Sequence, residues 1–127
     1  VKSNDTNQAS FEQTLAIKKQ LGNNGVAIPV AYVDHTHSLD VTVIVKQDTS
    51  NVASGRGHSV LAYGSGSAGL TQVSGSGNVS SVAIAYLNTN PSGQNYVLTV
   101  TPTFSAGVPP VAYVTIRGNS TGAICEY

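Results

Sequence analysis

Residues 39–46 read LDVTVIVK: Leu39, Val41, Val43 and Val45 fall on one parity, and Asp40, Thr42, Ile44 and Lys46 on the other. Side chains on a strand alternate between faces, so this stretch reads as a β-strand with one apolar face and one mixed face. The same texture recurs on both sides of it. Val26, Ile28 and Val30 alternate with Ala27, Pro29 and Ala31. Pro29 cannot donate to a ladder, so that strand is expected at an edge or bulged there. His58, Val60 and Ala62 alternate with Ser59, Leu61 and Tyr63. Val82, Ile84 and Tyr86 share a parity, as do Tyr96, Leu98 and Val100, and Val111, Tyr113, Thr115 and Arg117. Residues 123–127 read as a short last strand.

Between these runs lie turn residues. Residues 48–57 read as a polar loop with Arg56 between two glycines, and 64–77 as a Ser/Gly-rich stretch with at most one short strand. Residues 88–93 (NTNPSG) carry strong turn chemistry, and 102–110 hold three prolines in an irregular connection. The expectation is an all-β fold: an antiparallel β-sandwich or jelly roll of about seven or eight strands over residues 25–127. No amphipathic helix separates the strands, which disfavours a parallel βαβ sheet. Residues 1–24 read as an N-terminal arm. Within it Ser10 and Gln13 fit a capping box, Phe11, Leu15 and Leu21 would line one helical face, and Gly22 would end the helix. The alternative is a strand over residues 11–19.

Composition narrows function by exclusion. The 127 residues hold 6 Lys plus Arg against 6 Asp plus Glu, a formal net charge of zero, and only 9% of the chain is charged. With no basic excess to displace counterions, nucleic acid is not an expected partner. No apolar run approaches the ~18 residues of a membrane helix, so no membrane insertion is expected. The single cysteine, Cys125, excludes an intrachain disulfide framework and a cysteine-based zinc site. Ser, Thr, Asn, Gln and Gly replace charge on the surface, which leaves it poorly protected against association and points to work in an assembly. The first residue, Val1, fits either loss of an initiator Met or cleavage from something longer.

Few residues announce chemistry. His35 and His37 would point to one side of an extended segment, and three copies around an axis would bring six imidazoles to one ion. No serine sits in a Gly-x-Ser-x-Gly elbow: the match at residues 64–68 ends in Ala68. No P-loop lysine accompanies the glycines. The chain is therefore expected not to be an enzyme and to need no cofactor beyond an ion on such an axis. Tyr63 and Tyr96 are candidates for stacking on a sugar face. Arg56 and Arg117, the only arginines, and Asn90 in the 88–93 loop are candidates for hydrogen bonding a ligand.

The element order supplies a resemblance. The succession "VTVIVKQDTS", "GRGHSVLAYGSG", "NVSSVAIAYLN", "QNYVLTVTP", "VAYVTIRGN" resembles the C-terminal β-domains of bacteriophage tail fibres and tailspikes, over about three-fifths of the chain. That resemblance implies a TNF/C1q-like trimeric sandwich, located on the virion or outside the cell, that attaches to host surface polysaccharide or protein. It also implies an iron ion on the threefold axis, for which His35 and His37 are the matching positions. Self-association would supply avidity from weak single sites. The alternatives are a capsid, decoration or filament subunit that assembles through its N-terminal arm, and a soluble lectin.

Overall fold

The computed structural model describes residues 12–63, 65–88 and 95–127. Every described element is a strand: β1 (Glu12–Gln20), β2 (Ile28–Asp34), β3 (Thr36–Lys46), β4 (Val52–Ala62), β5 (Ser65–Ser76), β6 (Val79–Asn88), β7 (Asn95–Phe104), β8 (Val111–Ser120) and β9 (Cys125–Glu126). All pairings are antiparallel, in the order β1-β8-β3-β4-β5-β6-β7-β2-β9. The sheet rolls so that its two ends nearly meet. Where β1 and β9 fall short of a ladder, the Gln13 amide bridges them: its Nε2 donates to Gly122 O at 2.8 Å, and its Oε1 accepts from Ile124 N at 2.9 Å. The architecture is thus a nearly closed, nine-stranded barrel rather than a seven- or eight-stranded sandwich.

β3 behaves as its alternation requires. Leu39, Val41, Val43 and Val45 are fully buried, while Ser38, Asp40, Thr42, Ile44 and Lys46 face outward. Burying each such aliphatic side chain is worth about 1.5–3 kcal/mol. Val114 and Ile116 of β8, Val82 and Ile84 of β6, Leu98 and Val100 of β7, and Val30 and Val33 of β2 complete one continuous core. The irregularity expected at Pro29 is present: the β2–β7 register shifts between Pro29 and Ala31, and Val30 and Ala31 are both buried.

Four local expectations are corrected. No helix forms among the described residues: residues 12–20 form β1, which pairs along its length with β8, as the alternative strand reading over 11–19 has it, while Ser10 and Phe11 lie outside the described residues. The helical reading rested on Gln13 capping its own turn, but that side chain closes the barrel instead. The loop over 48–57 ends early, because β4 begins at Val52. Its alternation is real but carried by small residues: Ala53, Gly55, Gly57 and Ser59 point inward. At Gly55 a Cβ would collide with the Leu70 side chain and lie 3.3 Å from Val82 Cγ1, so the missing side chain makes room for β5 and β6. The 64–77 stretch, expected to be mostly turn, is the long strand β5, paired with β4 and meeting β6 only at Ser76–Val79. Finally, β7 continues to Phe104, into the segment expected to be irregular.

Candidate functional site

The outer face of β3, β4 and β8 is organised by their register. The β3–β4 turn is held by Asp48, whose carboxylate accepts from Ser50 N and Asn51 N at 3.0 Å each and from Asn51 Nδ2 at 2.9 Å. These hydrogen bonds, led by the Asn51 amide, hold the Asp48 carboxyl below its usual range. The resulting β3–β4 register sets Asp40 opposite His58, and the separate β3–β8 ladder sets Asp40 opposite Arg117 and Ser38 opposite Asn119.

Three of these residues form a hydrogen-bonded chain. His58 Nδ1 lies 2.7 Å from Asp40 Oδ1, and His58 Nε2 lies 2.8 Å from Ser38 Oγ. The carboxylate can only accept, so Nδ1 carries a proton; in the neutral ring Nε2 then presents its lone pair, to which Ser38 donates. Arg117 faces Asp40 and donates from Nε to Glu12 Oε2 at 2.8 Å. The Glu12 hydrogen bond and charge, with a further contribution from Asp40, hold the guanidinium pKa above its ordinary value. Arg56 lines a small hollow with Asp40, His58 and Gln72 on the same face.

Beside Ser38 the sheet end forms an open depression of about 730 Å³, lined by Thr36, Ser38, Val60, Ala62, Asn119 and Thr121 among others. That is within the usual range for small-molecule sites. Tyr63 directly follows Ala62, which lines the depression. It is 73% exposed and is the one described non-glycine residue with positive φ, at 45°. Its N–H donates to His35 O at 2.7 Å, and its ring meets the His35 imidazole edge-on at 5.4 Å.

His37 has the opposite environment. The chain bends at residue 35 between β2 and β3, so strict two-residue alternation does not carry across it. His37 turns into the barrel, where Nδ1 donates to Asp34 O at 2.9 Å and Nε2 lies 2.8 Å from both Ser59 Oγ and Tyr86 OH. Ser59 and Tyr86 are themselves hydrogen-bonded. Both ring nitrogens are engaged, which leaves neither for an ion shared with His35. Among the described residues no group of three metal-ligating side chains occurs. Of the other sequence candidates, Tyr96 is buried with its ring 6.1 Å from that of Tyr86, a packing position. Asn90 lies outside the described residues.

Burial lowers the His37 pKa from 6.5 against the opposing Asp34 contacts, so the fold favours the neutral ring. The unfolded chain then takes up the proton first. The contribution is fully present above pH 6.5 and is lost as pH falls from there through the folded value. Denaturation curves collected across this window should show the wild type losing stability on acidification more steeply than His37→Asn. Parallel pH profiles would contradict the assignment.

No family model, no curated protein and no solved structure matches the chain. The site therefore rests on its own geometry. Sequence reading singled out Arg117 and Arg56, which lie on this face, and Tyr63, which follows the end of β4, but missed Ser38, Asp40 and His58. The available signal was Ser38 and Asp40 two residues apart on a strand, with a histidine on the next one. Reading 48–57 as loop concealed the register that joins them.

Proposed function

We propose that the chain is a homo-oligomeric attachment module of a virion or other extracellular surface, in the manner of the tail-fibre domains it resembles, with host surface polysaccharide as its ligand. The observation that carries this reading is Tyr63. A bulky residue with φ of 45° is held at a conformational cost of about 1–3 kcal/mol while 73% exposed. Such strain is retained where the exposed ring has a use, and a phenol one residue beyond a mainly apolar depression that also holds Thr36, Ser38, Asn119 and Thr121 suits a sugar: the ring stacks on the apolar face, and the polar groups bond its hydroxyls. Arg56 and Arg117 flank the same face and suit acidic sugars.

A second observation favours multiple copies. β5 is hydrogen-bonded on one side by β4, and its sequence SGSAGLTQVSGS contains no charge and no proline. Edges without such guards are templates for strand pairing. β5 lies inside the strand order but meets β6 only at Ser76–Val79, whereas the two ends of the sheet are guarded: β1 carries Lys18 and Lys19, and β9 spans only 2 residues. Because β1 pairs with β8 within the chain, edge pairing at β5 is favoured over exchange of the N-terminal arm as the route to assembly.

The test is retention of bacterial surface polysaccharides on immobilised wild type and Tyr63→Asn. Asparagine tolerates the left-handed backbone, so the variant should melt at the same or a higher temperature. Loss of a stacking contact worth about 1 kcal/mol should weaken retention about fivefold per copy. Equal retention by the two proteins, or none by the wild type, overturns the reading.

A further inference from the structure

We propose that Ser38, His58 and Asp40 form a serine acyl-transfer centre that cleaves small acyl esters seated in the adjoining depression. Such a centre needs a nucleophilic hydroxyl on a base, the base oriented by an acceptor, and room for an acyl group beside the nucleophile. All are present: Ser38 Oγ is 2.8 Å from His58 Nε2, His58 Nδ1 is 2.7 Å from Asp40 Oδ1, and Ser38 itself lines the depression. Each residue stands on a paired strand, so the relative positions are set by ladders rather than by loops. Val60 and Ala62 supply an apolar wall for the acyl chain.

The oxyanion donor is constrained by the same ladders. Backbone N–H groups of β3, β4 and β8 around the site are engaged in the sheet, so the donor must be a side chain. Asn119 is directly across from Ser38, where antiparallel pairing places Cβ atoms about 5 Å apart, and it also lines the depression.

The chemistry balances without a cofactor. Ser38 Oγ bonds to the ester carbonyl carbon as its proton passes to His58 Nε2. The tetrahedral intermediate collapses, the bond to the alcohol oxygen breaks, and that oxygen takes the proton from Nε2. Water then attacks the acyl-serine with His58 as base; the carboxylic acid leaves and Ser38 recovers its proton. The His58 and Asp40 side chains are 45% and 68% exposed, so water competes for their hydrogen bonds and turnover should be slow.

The experiment treats the full chain with a fluorophosphonate probe and, separately, with p-nitrophenyl acetate, and maps adducts by peptide mass spectrometry. The expected result is a phosphonyl or acetyl group on Ser38, abolished in Ser38→Ala. Ester turnover should fall about a hundredfold in His58→Ala. Asp40→Asn should lower kcat with KM unchanged, which a merely structural cross-strand contact would not do. Melting curves of each variant establish that it folds. Absence of an adduct on folded wild type, or turnover that survives Ser38→Ala, overturns the proposal. Neither outcome bears on polysaccharide retention, which is read from Tyr63.

Discussion

Gly118→Ala is expected to destabilise the fold by about 3–5 kcal/mol, seen as a lowered denaturation midpoint. Gly118 has φ of 150°, and a Cβ there would run into Ser38 O and lie 3.0 Å from Leu39 Cα. Both obstacles are backbone of the neighbouring strand, so no side chain can swing away. Strain of about 1–3 kcal/mol at an unfavourable φ adds to an overpacking cost of similar size. The damage would also reach the site, because Gly118 precedes Asn119 and abuts the Ser38 carbonyl. Loss of Ser38 labelling should therefore accompany any Gly118 variant that still folds. A stability within about 1 kcal/mol of wild type would mean that β8 does not pack against β3 this closely.

Leu98→Ala comes next, at about 2–5 kcal/mol. Leu98 is fully buried on β7, a strand on which residues 96 to 100 are all buried, so no neighbour can collapse readily into the space it leaves. A domain of this size has about 5–15 kcal/mol in total, so the loss is a large share. The informative control is Ile44→Thr. Ile44 is also an aliphatic residue on a strand, but it faces outward and is 44% exposed, so its replacement should stay within about 0.5 kcal/mol of wild type. Chemical denaturation of the two variants tests which face of the rolled sheet is inside; equal losses would contradict it.

The fold was legible wherever inward positions are large. Leu39 to Val45 and the β8 run from Ala112 to Ile116 announce their faces because apolar bulk repeats every second residue. β4 keeps the same rhythm with Ala53, Gly55 and Gly57 inside, where Leu70 and Val82 occupy the space, and without bulk the rhythm reads as loop. β5 was illegible for a related reason: it is half-buried only at Ala68, Gly69 and Leu70, so little in it records a face. At the N-terminus the local capping signal at Gln13 competed with partners 109 and 111 residues away, and the distant ones prevailed. Of the site, the arginines and Tyr63 stood out by rarity and position. The Ser38–His58–Asp40 chain is a product of register, which is fixed by the Asp48 turn and cannot be read from any single strand.

Under the proposed function this neutral, sparsely charged barrel works as several copies joined at the β5 edge. Multi-angle light scattering on the 13.0 kDa chain over a wide concentration range tests that most directly. Whole multiples of 13.0 kDa that revert to the single mass when Leu70-flanking Thr71 is changed to proline are the predicted result. A particle of 13.0 kDa at every concentration would contradict it.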